Sequence, residues 1–407
     1  MKTARQYSNV IISNRAYKRQ EETRHPWVYD NEIIKTNGTY QNGELIDVMN
    51  EKGTYIGTGF INENSKIRVR IISRNANDVF DEAFWERRLR YAIEFRKTVM
   101  DEDFSCCRLI FGEADAMPGF TVDRYNNILV TQVLSLGIEK IKPLLFNLLY
   151  KIMNEKEHLI DGIFERNDVK IRELEGLTEN KGFFKLDGVE IPSETTTTII
   201  ENGIKYKVDF ENGQKTGFFL DQKYNRKAIQ KISKNKKVLD CFTHTGSFGL
   251  NAAVGGAEKV TSVDISESAI EMAKENGKAN GLEDKIDYEV ADVFDLLKNL
   301  PSKKYDFIIL DPPAFTKSRN TINNAFNGYK EINYLAMKAL PRGGYLATCS
   351  CSHFMENNNF KKMLEESAWK AGVELKQVEE RQQSSDHPIL WNVPETNYLK
   401  FYIFQIV

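Results

Sequence analysis

From Lys236 onward the chain alternates, five times over, a short β-branched run with a longer segment of helical period. The pairs are KKVLDCF and SFGLNAAV, KVTSVD and ESAIEMAKENGKANG, IDYEVAD and VFDLLKNL, YDFIILD and a helix through EINYLAMKAL, then YLATCSC and a helix through FKKMLEESAWKAG. Consecutive parallel strands need a crossover, which a helix supplies. This order therefore dictates an α/β fold, a mostly parallel sheet with helices on both faces. Two further runs, ELKQV and YLKFYIFQIV, add an antiparallel hairpin and bring the sheet to seven strands. Ligands of such sheets bind beyond the carboxyl ends of the strands, so the residues at those ends are the candidates for chemistry.

The upstream chain has a different texture. Residues 1–74 hold the runs VIIS, GELIDVM, TYIGTGFI and KIRVRIIS between turn signals such as Asn37-Gly38 and Asn42-Gly43, and read as a small β-rich domain. After a cap at Asp78 or Asp81 the period becomes helical, with Trp85, Leu89, Ala92 and Ile93 on one face. A second helix presents Ile141, Leu144, Leu145, Leu148, Leu149 and Ile152, and PGFTVDRYNNILVTQVL between the two reads as strands around the turn Asn126-Asn127. Residues 75–190 thus form a central α+β domain. The polar run IPSETTTTIIENG, a loop or edge hairpin, opens the last domain, 191–407.

No apolar run approaches the roughly 20 residues that span a bilayer, and MKTARQYSNV lacks the apolar stretch of a signal peptide. The expected location is cytoplasmic, with no membrane partner. The cysteines Cys106, Cys107, Cys241, Cys349 and Cys351 are odd in number and lack CxxC or Cys/His finger spacing, which argues against a disulfide framework or a metal site. Residues 1–74 carry twelve Lys and Arg against eight Asp and Glu. That balance fits an anionic partner about as well as a solvated surface.

The first strand of the alternating region runs into VLDCFTHTGSFG, a turn with Gly246 and Gly249 but no complete G-x-G-x-x-G, and Asp240 at the strand tip supplies an acceptor. The second strand ends in Asp264, placed for ribose hydroxyls, and the third in Asp292, placed for an adenine amino group. Helix capping and loop solvation are the bland alternative for these acids. An incomplete diphosphate fingerprint with no basic residue beside it disfavours NAD, and a sulfonium cofactor with an adenosine moiety fits better. With VLDCFTHTG as first motif, this region resembles the Rossmann-like class I S-adenosylmethionine-dependent methyltransferases. The resemblance implies S-adenosylmethionine as cofactor, held by Asp240, Phe242, Thr243, His244, Gly246, Asp264, Asp292 and Asp311. The stretch NGQKTGFFLDQKYNR resembles the segment that precedes this motif in ribosomal RNA methyltransferases and there encloses the cofactor. Phe218, Phe219, Asp221 and Gln222 join the set on that ground, although the two Phe could equally be core aromatics.

The fourth strand ends in Asp311-Pro312-Pro313-Ala314-Phe315, which resembles the base-holding loop of nucleic-acid methyltransferases. Pro312 and Pro313 stiffen it, and Phe315 is placed to stack on an extracted base. Taken alone, the loop suits nitrogen methylation as readily as carbon. The fifth strand decides the reading. Carbon-5 of cytosine needs a thiolate added at carbon-6 before it can attack a methyl group, and the period of two puts Cys349 and Cys351 on one face of YLATCSCS. Cys351 lies nearer the carboxyl end and is favoured as nucleophile. Cys349 carries the literal Thr-Cys-Ser string of RNA cytosine-5 methyltransferases and stays open, as does the reading of both as buried filler. Asp311 would bond the N3/N4 edge of the base. Ala314 stands where the larger family has a second cysteine, and this leaves product elimination without its usual thiol.

Over nearly its full length the chain resembles the bacterial 23S ribosomal RNA cytosine-5 methyltransferases that carry an N-terminal PUA domain. The matching stretches are HPWVYDNEI, GEADAMPGFTVDRY, TGFFLDQKYNR, DPPAF, DHP and YLK. This implies 23S rRNA or a large-subunit assembly intermediate as partner, with a homodimer allowed. It also implies Arg15, Lys18, Arg19 and Arg24 as phosphate contacts of an RNA-binding domain. Two alternatives remain: guanine-nitrogen methylation with the same loop and no nucleophile, and a non-catalytic RNA-binding protein on this scaffold. His244 reads as a loop residue near the methionine moiety rather than a base, and His387 is left unassigned.

Overall fold

The structure is a computed structural model and describes residues 7–315 and 322–407. The described residues divide into two compact units, one drawn from 7–199, Val208–Phe218 and Ser385–Thr396, the other from Ile200–Lys207, 219–315, 322–384 and Asn397–Val407.

In the first unit, strands Asn9–Ile12, Trp27–Tyr29, Ile33–Asn37, Leu45–Asn50, Tyr55–Ile61 and Ile67–Ser73 form one six-stranded sheet. Val10, Ile12, Val28, Ile46, Val48 and Val69 are fully buried in its core. A helix absent from the sequence reading, Asn14–Thr23, follows the first strand. The Ser13 Oγ starts it by accepting the Ala16 N–H at 3.3 Å, satisfying one of the amides a helix start leaves bare. A second, five-stranded sheet contains the expected pair Phe120–Tyr125 and Ile128–Val133, turning at Asn126 with φ 57°. It is flanked by helices Glu82–Met100, capped by Asp81, and Leu136–Met153.

The face of Leu136–Met153 is rotated from the expected one. Ile138, Leu145, Phe146, Leu148, Leu149 and Met153 are buried, so half of the expected face holds, whereas Ile141, Leu144 and Ile152 are only half-buried. The reason is Lys142, which sits on the buried face because Glu139 and Glu165 accept its Nζ at 2.6 and 2.8 Å. A charge thereby occupies a place that periodicity assigns to an apolar side chain.

The second unit holds the alternating sheet. Its strands are β1 (Lys237–Cys241), β2 (Lys259–Asp264), β3 (Ile286–Val290), β4 (Phe307–Leu310), β5 (Tyr345–Ser350), β6 (Leu375–Arg381) and β7 (Lys400–Ile406), in the order β3-β2-β1-β4-β5-β7-β6. Neighbours from β3 to β5 run parallel, and β7 lies antiparallel to both β5 and β6. The helices are α1 (Lys223–Ser233), α2 (Ser247–Val254), α3 (Glu267–Ala279), α4 (Val293–Lys298), α5 (Ile322–Ala339) and α6 (Asn357–Ala371). The expected hairpin at the end is instead two adjacent strands joined by a long connection, and β7 inserts between β5 and β6. Among the described residues no helix is long and apolar enough to cross a membrane.

Candidate active site

The carboxyl ends of β1 and β2 are held by carboxylates that grip backbone. In the turn after β1, Phe242 (φ 62°), His244 (φ 50°) and Gly246 (φ 83°) take left-handed backbone, a conformation that costs a non-glycine residue energy and persists only where neighbours enforce it. Asp264 supplies that enforcement: its Oδ2 accepts the His244 N–H at 2.9 Å and its Oδ1 the Ser266 N–H at 3.0 Å. Asp240 Oδ2 accepts the Gly249 N–H at 2.7 Å and the Thr243 hydroxyl. Gly249 must be glycine, because a Cβ there would lie 2.3 Å from Ser262 Oγ and 3.0 Å from Asp240 Oδ2.

Asp240 is wholly buried, and burial pushes its carboxyl up to about 7, with the Asp311 and Asp264 charges adding to the effect. Its Oδ1 has no hydrogen-bond partner. A buried carboxylate oxygen without a donor is costly, and it fits a ligand that brings an N–H or a positive charge to this turn. The residues present therefore suit S-adenosylmethionine.

Phe219 sets its ring edge-on to His244 at 5.2 Å. Its carbonyl accepts Arg226 Nη2 at 2.8 Å, and Arg226 forms a fully buried bidentate pair with Glu201 at 2.6 and 2.8 Å. Removing one member of such a pair costs about 3–5 kcal/mol, so the Phe219 backbone is firmly placed. Phe218 falls in the first unit, where it is buried and exchanges hydrogen bonds with the Tyr125 hydroxyl. Asp221 Oδ2 accepts the Tyr398 hydroxyl at 2.7 Å. Asp292 is exposed and caps α4, its Oδ1 accepting the Phe294 and Asp295 N–H groups at 2.8 and 3.2 Å; that oxygen does the capping work of the bland reading.

At the ends of β4 and β5 side chains bond to one another. Asp311 Oδ1 accepts the Cys349 thiol at 2.8 Å and Gln222 Nε2 at 3.1 Å, and Gln222 also donates to Cys349 Sγ at 3.4 Å. Cys349 is fully buried, and burial, then the Asp311 carboxylate, hold its thiol well above the usual range. A thiol kept protonated in this way is a poor nucleophile. Cys351, one residue beyond the end of β5, is half-buried. The spacing brings both cysteines to the same strand end but gives them opposite surroundings.

Pro312 is buried and Pro313 exposed. Phe315 does not stand free for stacking: its ring packs against Tyr329 at 4.7 Å and Phe294 at 5.9 Å, on the edge of the core under α5. Among the basic residues of the first unit, Arg15, Lys18 and Arg24 are exposed. Arg19 is committed to Glu32 through two bonds of 2.8 and 2.7 Å and to the Trp27 carbonyl.

The sequence reading passed over Lys400, whose Nζ is buried beside the β5 end and bonded to the Ser352 and Tyr398 carbonyls at 2.6 and 2.8 Å. It is the first residue of β7, KFYIFQI, a place where a lysine reads as an ordinary solvated strand end.

A seven-stranded sheet of this order, with an acid-held glycine turn after its first strand, defines an S-adenosylmethionine-dependent methyltransferase. Family models agree: S-adenosylmethionine-dependent methyltransferase matches residues 187–405 and PUA-like domain matches residues 10–74. Among solved structures, one described as a SAM-dependent methyltransferase from Streptococcus mutans superposes with a TM-score of 0.78 at 22% identity, covering 98% of this chain and 99% of that one. Another, a methyltransferase complexed with SAH, gives 0.80 at 22% identity with the same coverage. Relatives named ribosomal RNA large subunit methyltransferase I are 39% identical in Pseudoalteromonas translucida and 41% identical in Shewanella denitrificans, each over 94% of this chain and 96% of the relative. The chain belongs to the ribosomal RNA large subunit methyltransferase I family.

Proposed function

We propose that this enzyme methylates carbon-5 of a cytosine in 23S ribosomal RNA, free or in an assembling large subunit, in the cytoplasm, with Cys351 as nucleophile. The relatives' name supports the RNA. The single observation that carries the nucleophile is the contrast between half-buried Cys351 and fully buried Cys349, whose thiol donates to Asp311.

Bound S-adenosylmethionine supplies an electrophilic methyl group. Asp240, Asp264 and the backbone of the 242–246 turn would hold it. The Cys351 thiolate adds to carbon-6, its electron pair forming the C–S bond while the ring's electrons move to carbon-5, which becomes nucleophilic. Once carbon-5 carries the methyl group its proton leaves to water, the C–H electron pair re-forms the ring double bond, and the C–S bond breaks with its electron pair returning to sulfur. Asp311, fixed by Gln222, bonds the N3/N4 edge of the ring. The 1–74 domain grips RNA phosphates through Arg15, Lys18 and Arg24, and residues 75–190 form a separate central domain before the catalytic one at 191–407. With Arg19 paired to Glu32, its contribution to RNA binding is the smallest of the four.

The test is mass spectrometry of ribosomal RNA from a strain lacking this gene, complemented with wild type, Cys351→Ala or Cys349→Ala. A methylcytosine restored by wild type and Cys349→Ala but not by Cys351→Ala is expected. Absence of a methylguanine instead, or a methylcytosine surviving Cys351→Ala, overturns the reading.

A further inference from the structure

Lys400 stands on β7 opposite Ser350 of β5, the residue before Cys351, and is 7% exposed. An ammonium has three donors; two go to the Ser352 and Tyr398 carbonyls, and among the described residues no carboxylate lies within ion-pair distance of it. A buried cation held by neutral carbonyls alone is expensive, which calls for a function that needs the charge. Titratable groups on the elements around it include Cys349 and Cys351 at the β5 end, Tyr329 of α5, whose hydroxyl accepts from Ser350, Asp311 after β4, Asp221 and Tyr398, Tyr402 of β7, and Glu379, Glu380 and Arg381 of β6. Asp311 accepts from Cys349 and Gln222, Asp221 from Tyr398, and Arg381 donates to Asn225 and Glu379. Burial brings the Lys400 ammonium down to about 8, and Cys351 and then Cys349 oppose that fall. The same attraction, seen from the sulfur, favours the thiolate.

We propose that Lys400 is a positioning residue for the nucleophile: it fixes the Ser352 carbonyl, and with it the turn that presents Cys351, while its uncompensated charge and third N–H stabilise the Cys351 thiolate. The thiol proton leaves to solvent and nothing is oxidised or reduced. This inference rests on Cys351 being the nucleophile.

The test uses the full chain and the rate of iodoacetamide alkylation against pH, localised to Cys351 by fragment mass spectrometry. In wild type the midpoint should fall below the ordinary thiol value of about 8.5. Lys400→Met should raise it by one pH unit or more, so that alkylation at pH 7 slows about tenfold, and Lys400→Arg should keep most of the lowering. A wild-type midpoint at or above that ordinary value overturns the inference without any substitution. So does a Lys400→Met profile scaled equally at every pH, which is what a purely structural lysine would give. Cytosine methylation by Cys351→Ala, measured in parallel, separates the two readings. Methylation lost there with an unmoved Lys400→Met midpoint removes this inference alone, whereas methylation retained with a shifted midpoint removes the nucleophile but not the thiolate stabilisation.

Discussion

The two halves of the sheet's carboxyl edge are built by opposite means. At β1 and β2, carboxylates hold backbone amides: Asp264 holds His244 and Ser266, and Asp240 holds Gly249. At β4, β5 and β7, side chains hold side chains or carbonyls, as in Asp311 with Cys349 and Gln222, and Lys400 with Ser352. Amide-held turns are rigid. Groups that share protons with one another are adjustable, because each one's protonation is set by its neighbour. The first construction suits binding a cofactor of fixed shape and the second suits moving protons during a reaction.

This contrast can be broken most decisively at Asp311. Asp311→Asn should lower the single-turnover rate of RNA methylation about 10²- to 10⁴-fold; a loss under tenfold would mean that the second half is as passive as the first. Next in size is the pH response of Asp240. Its folded value, about 7, lies above the ordinary 3.8, so the ligand-free fold binds this proton more tightly than the unfolded chain. The stability it contributes, at most about 4 kcal/mol, is present below pH 4 and is lost as pH rises through 7. Denaturation of ligand-free protein at pH 5 and pH 8 should show that loss, and Asp240→Asn should shrink it. Gly249→Ala should cost about 1–3 kcal/mol in the same assay, since its Cβ would strike Ser262 and Asp240; no cost would mean that the turn is less rigid than the contrast requires. The smallest effect separates the thiols. Cys349→Ala, in a packed site, should lose about 1 kcal/mol of stability, and Cys351→Ala less than about 0.5.

Much of the second unit was legible because β-strand and helix periods are local properties. The runs KVTSVD and SFGLNAAV coincide with β2 and α2, and in the first unit the turn at Asn126 announces itself by residue type. What escaped depends on partners far along the chain. Arg19 looked like a free cation until Glu32, thirteen residues on, claimed it. Phe315 looked available for stacking, but α5 supplies Tyr329 beneath it. The helix Asn14–Thr23 buries only Ala16 and Gln20, too little for an apolar stripe to reveal it. Lys400 was hidden because a strand's alternation says which side a residue faces and not what waits there. The different environments of Cys349 and Cys351 likewise depend on Gln222 and Asp311, brought in from before β1 and after β4.

The strand order carries a consequence for biosynthesis. β7 is the latest-made strand of the sheet, yet it lies inside it, paired on both sides. While the chain is still emerging, β1 to β5 can assemble and the cofactor turn can take shape, but β5 keeps an open edge and Cys351 has no lysine beside it. If Cys351 and Lys400 act as proposed, the nucleophile gains its neighbouring charge only once the last-made strand has paired with β5.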